Sequence, residues 1–352
     1  MTKSILIGNR AIGPHEPVFI IAEAGVNHNG NLELAKKLIA VAAEAGADAV
    51  KFQTFSAEYL VTVTADQAEY QRKNIGKIES QFNLLKRLEL PKTWHAELQA
   101  YAVEKKIMFL STPFSELDAD FLETLNVPAY KIPSGEINNL PYLHHIAKKN
   151  KPMIISSGMS TLVEVKMAVK TVQDAGNTEI VLLHSTSNYP PSLASLNLRA
   201  ITTLQAEFPE FPIGYSDNGA PGVAPEIIST ALGSCVIEKH FTLDKTMEGP
   251  DHLASLNPQE LKEMVEAVRA TTIILGNGNK ECQPEEISIK AIARKSMISK
   301  HEIPAGKILS LGDIIMKRPG NGIPPTELAL VIGKKALSTI PADTVITWEQ
   351  LV

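Results

Sequence analysis

The segment VFIIAEAGVNHNGNLELAKKLIAVAAEAGADAVKFQ, residues 18–53, decides the fold. Its opening run, 18–22, is continuously apolar and rich in β-branched residues, as a strand buried on both faces requires. The polar turn NHNGN (27–31) follows. Then Leu34, Ala35, Leu38, Ile39 and Ala42 recur at helical spacing and make one apolar stripe over a helix at 32–45. Gly46 stands where a C-terminal cap needs a residue tolerant of positive φ, and 49–52 opens a second strand. Two parallel strands need a crossover of this kind, so the segment is a strand–helix–strand unit.

Outward from it, the same theme recurs. Strand runs are expected at 18–22, 49–52, 108–111, 129–132, 153–156, 180–183, 213–215 and 235–238. Helical periodicity fills 93–105, 117–125, 140–149, 162–175, 196–208, 223–232 and 258–275. Eight strands alternating with helices over about 250 residues is the expected size of a (β/α)₈ TIM barrel, and the strand count disfavours a doubly wound open sheet. After residue 275 the run GNGN breaks the pattern, and short apolar runs punctuated by glycine and proline occupy the rest. The expected organisation is a catalytic barrel over 1–278, a linker over 279–291 and a small β-rich domain over 292–352.

With 34 Lys and Arg against 39 Asp and Glu, the net charge of −5 offers a phosphate backbone no global attraction, so nucleic acid is not expected as a partner. No run of about 18 apolar residues exists to cross a membrane. Two cysteines are too few for a disulfide framework, and the apolar run near residue 5 is too short for a signal peptide, which together point to the cytoplasm.

In a barrel, catalytic groups sit at the C-terminal ends of the strands. There the sequence concentrates Glu23, Asn27 and His28, then Lys51 and Gln53, then Ser111 and Thr112, then Lys131, Ser134 and Glu136. Ser156 and Ser157, then His184, Thr186, Ser187 and Tyr189, then Ser216, Asp217 and Asn218, with Lys239, His240, Asp251 and His252, complete the ring. Any one such residue has an ordinary structural explanation as a cap or turn. Lysines and a histidine inside apolar strands would be costly to bury without partners or function. Ammonium groups, hydroxyls and backbone turns with Gly135 and Gly158 form an inventory for an anion, and His240 with the carboxylates suits a hard divalent cation or proton transfer. Dinucleotide, Walker, zincin and hydrolase motifs are absent from the sequence.

At these residues the chain resembles the bacterial sialic acid synthases, makers of N-acetylneuraminic acid and its legionaminic and pseudaminic relatives. The likeness spans nearly the whole chain and rests on IAEAGVNHNG (21–30), DAVKFQTF (48–55), FLSTPF (109–114), YKIPSGE (130–136), IISSGM (154–159), LLHSTSNYP (182–190), IEKHFTLDK (237–245), GPDH (249–252) and KRPGNG (317–322). It implies a TIM barrel joined to an antifreeze-like (SAF) domain, and condensation of phosphoenolpyruvate with an N-acylated mannosamine-type sugar, with phosphate release and a need for Mn²⁺ or Mg²⁺. By resemblance, Lys51, Lys131, Ser134, Ser156, Ser187 and Ser216 meet phosphoenolpyruvate. Glu136 is implied to move protons, and Glu23, Gln53, Thr112, Tyr189 and Asp251 to hold the sugar; on chemistry, Glu23 is the second choice for proton transfer. His240 matches a metal-binding histidine. Arg318 matches an arginine that reaches the partner subunit's sugar site, which implies a domain-swapped homodimer.

Two departures stand out. Asn218 occupies the place of a second metal histidine, and an amide oxygen ligates these ions more weakly than imidazole ligates Mn²⁺. After the sixth strand Ser187 precedes Asn188, displacing the family's asparagine. The leading product is N-acetylneuraminate, formed from N-acetylmannosamine. The alternative is diacetyllegionaminate, formed from 2,4-diacetamido-2,4,6-trideoxymannose, since the GPDH and SGE segments are more similar to these two branches than to the pseudaminate one. Two rivals have other chemistry: a Schiff-base aldolase using Lys51 or Lys131, and a catalytically dead sugar-phosphate-binding protein with Asn218 as its mark.

Overall fold

The computed structural model describes residues 2–76 and 78–352, in two compact units, Met1–Gly276 and Asn277–Val352. The first begins with an antiparallel hairpin of β1 (Ile5–Ile7) and β2 (Arg10–Ile12). Eight parallel strands follow: β3 (Phe19–Gly25), β4 (Ala49–Thr54), β5 (Met108–Pro113), β6 (Tyr130–Ile132), β7 (Met153–Ser156), β8 (Ile180–Ser185), β9 (Ile213–Asp217) and β10 (Val236–His240). The ladder runs β5-β4-β3-β10-β9-β8-β7-β6, so neighbours in sequence are neighbours in space except where β3 meets β10. That meeting, in register from Val236 with Phe19 to His240 with Glu23, curls the sheet into the expected barrel. β5 and β6 lie side by side at the seam.

Strand side chains alternate between two cores. Ile20, Val50, Phe52, Ile155 and Leu182 pack under the helices. Phe19, Ile21, Ala49, Leu110, Ile154 and Val181 fill the barrel interior, where Ile5, Ile7 and Ile12 of the hairpin join them. The hairpin, which the sequence reading left unassigned, thus belongs to the interior floor, and polar inward residues are left for the opposite end.

Several strands run two or three residues beyond their expected ends, because ladder bonds continue into the polar residues. At one such end Glu23 pairs with Lys51 and Gly25 with Phe52, a bulge that leaves Ala24 unpaired. Gly25 takes φ 53°, and a Cβ there would lie 3.3 Å from Glu23 Oε1. Glycine therefore lets the bulge aim Glu23 across the barrel.

Between β4 and β5 the chain makes an excursion, unassigned from sequence, with helices Ala57–Leu60, Glu69–Ile75 and Gln81–Leu88. Leu84 and Leu88 bury against Val26 and Phe55. In the second unit, residues expected as linker carry a short helix, Ile287–Ala293, whose entry is fixed by Glu286 Oε2 accepting from Gln283 N at 2.8 Å. The remainder pairs β11 (Ser296–Ser299) with β12 (Ile314–Lys317), and bridges such as Ile303 to Ile340 and Ala336 to Leu351 close it around Met297, Leu309, Ile323 and Ile346. Among the described residues no helix is long and apolar enough to cross a membrane.

Candidate active site

A cavity of about 570 Å³ opens at the C-terminal ends of the barrel strands. Its floor is a buried lattice of four charges. Lys51 Nζ sits 2.7 Å from Glu23 Oε2 and 3.7 Å from Glu238 Oε1, and Lys131 Nζ is 3.6 Å from the same Glu238 oxygen. All four side chains are at most 6% exposed. Hydrogen bonds hold the lattice: Lys51 donates to Thr112 Oγ1 at 2.9 Å, Lys131 to Ser156 Oγ at 2.7 Å, Ser216 Oγ to Glu238 Oε1 at 3.1 Å and Gln53 Nε2 to Glu23 Oε1 at 3.3 Å.

Burial and neighbours divide these groups in proton affinity. Burial pushes Glu23 up to about 7 against the pull of Lys51. Burial also brings Lys131 down to about 8, although Glu238 works the other way. Glu238 is itself pushed up by burial, yet Lys131 and Lys51 outweigh this and hold it below its ordinary value. For Lys51, burial opposes the charge, but Glu23 and Glu238 prevail and raise it. The floor therefore holds an ammonium, a firm carboxylate and two groups that exchange protons near neutrality, one acid and one base.

On one side of the floor lies a hydroxyl cradle. Gly158 N donates to Ser134 Oγ at 3.1 Å, and a Cβ on Gly158 would fall 2.2 Å from Ser187 Oγ and 2.7 Å from Ser134 Oγ. Two serines and a backbone amide converge there only because residue 158 has no side chain. Beside two lysines, that is a site for an anion.

Tyr189, Asp251, His240 and Asn218 also line the cavity. Burial lowers His240 to about 4 and raises Asp251 to about 6. The imidazole is thus neutral at pH 7, and its Nδ1 is buried without a hydrogen-bond partner, 3.9 Å from Asp251 Oδ2. Asn218 donates its amide nitrogen to Thr186 O at 2.8 Å and Ser185 Oγ at 3.2 Å, which leaves the acceptor role at the cavity to its oxygen. Among the described residues no three His, Cys, Asp or Glu side chains converge as a metal centre. An orphaned imidazole nitrogen, a carboxylate and an amide oxygen nonetheless fit Mg²⁺ or Mn²⁺, whose remaining positions water or substrate fills.

Of the residues expected from sequence, the cavity brings together Glu23, Lys51, Gln53, Thr112, Lys131 and Ser134, with Ser187, Tyr189, Ser216, Asn218, His240 and Asp251. Two others of this unit lie elsewhere, and a third belongs to the second unit. Ser156 is beneath the floor and acts through Lys131. Glu136, expected to move protons, does not line the cavity: it closes the turn Ser134–Glu136, and its Oε2 accepts from Asn139 Nδ2 at 2.7 Å. Arg318 is exposed in the second unit, just after β12.

Other ring members also turn away, Lys239 and Asp217 among them. Lys239 and Asp217 alternate with His240, Ser216 and Asn218 and so point behind the wall, where Lys239 Nζ is 2.9 Å from Asp217 Oδ1 and 3.0 Å from Glu226 Oε1. Glu238 and Tyr70, both lining the cavity, were not selected from sequence. The alternation Val236, Glu238, His240 carries the signal for the first. No local pattern marks Tyr70, which the excursion delivers.

Comparison with known proteins matches residues 38–280 to the NeuB family and 294–352 to the SAF domain. An N,N'-diacetyllegionaminic acid synthase of Legionella pneumophila is 46% identical over 98% of this chain and 97% of its own. An N-acetylneuraminate-9-phosphate synthase of Homo sapiens is 40% identical over 99% and 96%. Among solved structures, an N-acetylneuraminic acid synthetase of Leptospira borgpetersenii superposes with a TM-score of 0.72 at 35% identity, covering 82% of this chain and 95% of that one.

Proposed function

The chain belongs to the NeuB family, and from that membership we propose that it condenses phosphoenolpyruvate with an N-acylated mannosamine-type sugar and water, releasing phosphate. The observation that carries this reading is the lysine–carboxylate floor beside the hydroxyl cradle. A Schiff-base aldolase needs one desolvated, unpaired lysine. Here both lysines are tied to carboxylates within 4 Å, an arrangement for holding an anion and moving protons.

In this mechanism Lys51 and Lys131 neutralise the carboxylate and phosphate of phosphoenolpyruvate, and Ser134, Ser187 and the Gly158 amide orient it with its methylene carbon toward the sugar aldehyde. The methylene carbon attacks the aldehyde carbon, forming the C–C bond as the C=O π pair moves onto oxygen, which takes a proton from Lys131, and leaving positive charge at the enol carbon. Glu238, ionised between the lysines, faces that charge. Water adds to the enol carbon as Glu23, poised near neutrality, takes its proton, and the resulting tetrahedral centre expels phosphate by C–O cleavage. His240, Asp251 and Asn218 would hold a divalent cation, which when bound supplies Lewis-acid polarisation of the aldehyde. Arg318 of a second copy completes the sugar site in this reading, as the resemblance implies.

The sequence reading puts N-acetylmannosamine first. One observation favours the alternative, 2,4-diacetamido-2,4,6-trideoxymannose: part of the cavity wall is formed by Val26, Leu60, Leu84, Leu85, Leu88 and Phe114, and among the described lining residues Lys51 and Lys131 are the lysines or arginines. A methyl or acetyl group suits such a wall better than a hydroxyl or phosphate. The relative named as a diacetyllegionaminic acid synthase supports the same choice. Phosphate release from phosphoenolpyruvate, measured with each sugar, with Mn²⁺ and with chelator, tests the proposal. Metal-dependent release, faster in kcat/KM with the trideoxy sugar, is expected; no release with either sugar refutes the condensation.

A further inference from the structure

We propose that Tyr70, carried on the excursion between β4 and β5, is a sugar-binding residue of this active site and donates its hydroxyl to the aminosugar. The proposal rests on the condensation reading above. Tyr70 lines the cavity, and its ring lies against Tyr189 with centroids 5.0 Å apart and planes at 25°. Tyr189 in turn presents its edge to His240 at 5.5 Å and 88°. Asp251 lines the same cavity.

Around Tyr189 the lining offers two phenols, the His240 imidazole and the Asp251 carboxylate. The lysines and serines of the same cavity supply what an anion needs. Flat apolar faces with a donor at the rim suit a neutral, acylated polyol, whose C–H faces and hydroxyls need both kinds of contact. Burial, reinforced by the charge of Asp251, holds the Tyr70 hydroxyl protonated, so it stays a donor at any working pH.

The position of Tyr70 is held from outside the barrel. Asn74, one helical turn on, donates its Nδ2 to Pro250 O at 2.7 Å, tying the excursion to the residue beside Asp251. This hydrogen bond joins the helix that carries Tyr70 to the loop that carries Asp251, so the sugar contacts come from segments about 180 residues apart in sequence.

The test uses the full-length protein with Mn²⁺, measuring phosphate release while each substrate is varied at saturating levels of the other, with N-acetylmannosamine and the trideoxy sugar in parallel. Tyr70→Phe keeps the ring stack, and with it the fold. It is expected to raise the sugar KM about three- to ten-fold while the KM for phosphoenolpyruvate stays within two-fold. Tyr70→Ala, which also removes the ring, is expected to raise the sugar KM further, with phosphoenolpyruvate binding measured calorimetrically without sugar left unchanged. A sugar KM unchanged in Tyr70→Phe overturns the proposal, as does a parallel loss of both KM values. A wild-type protein that releases no phosphate with either sugar overturns the condensation reading instead, so the two failures are distinct.

Discussion

Replacing Lys239 by methionine tests whether the buried charge cluster behind the barrel wall is a structural necessity. Lys239, Asp217 and Glu226 have fully buried side chains, with the ammonium 2.9 and 3.0 Å from the two carboxylates and donating to Ala220 O at 2.9 Å. Lys239→Met conserves length and leaves two carboxylates without a counter-charge. Breaking a buried pair by deleting one partner costs about 3–5 kcal/mol. At about 2–4 °C per kcal/mol for a unit of this size, the melting temperature at pH 8 falls by roughly 6–20 °C.

The deficit depends on pH with a defined sign. Burial already raises Glu226 to about 7 against the pull of Lys239, and loss of the lysine raises it further. A carboxyl whose folded value lies above its unfolded value of 4.5 loses stability as pH rises from the unfolded through the folded value. At pH 5.5 Glu226 keeps its proton in the folded variant, so the deficit is smaller there than at pH 8. Asp217 keeps its bonds from Gly219 N, Ala220 N and Tyr215 Oη. Adding Glu226→Gln to Lys239→Met therefore recovers about half of the loss at pH 8 and removes most of the pH dependence. Calorimetric melts of the three proteins at both pH values decide it. A drop below about 3 °C at pH 8, or one equal at both pH values, refutes the reasoning.

Three further outcomes are expected. The pH profile of kcat/KM for phosphoenolpyruvate rises through about 7 as Glu23 loses its proton and falls above about 8 as Lys131 loses its own, and an acid limb unmoved in Glu23→Gln contradicts this assignment. Gly158→Ala places a methyl 2.2 Å from Ser187 Oγ and closes the hydroxyl cradle. Its KM for phosphoenolpyruvate should rise about 10- to 100-fold with the melting temperature nearly unchanged, and an unaltered KM removes the cradle from the site. Co-expressed Lys131→Ala and Arg318→Ala chains, each inactive alone, should recover about a quarter of wild-type phosphate release if Arg318 serves the partner's barrel; no recovery places its role within its own chain or outside catalysis.

The barrel was legible because its signals are local and repeated. Continuous apolar runs specify strands buried on both faces, the helical stripe of Leu34, Leu38 and Ala42 specifies what covers them, and eight repeats specify closure. Polar residues interrupting those runs pointed to the catalytic end before any coordinates. Tertiary structure decided which of them face the cavity. Asp217 and Asn218, or Lys239 and His240, are adjacent in sequence, and strand alternation sends one of each pair to the substrate and the other into a buried ion cluster. Reading β10 with that alternation would have revealed Glu238. Glu136 was beyond such reading, because a single turn of chain carries it to Asn139 rather than into the cavity. Tyr70 was further beyond it, since contact with Tyr189 depends on an excursion whose return path is set by its packing on Val26 and Phe55. Sequence records period and chemistry, which fix elements and their order; contacts between residues far apart in the chain exist only once those elements have packed.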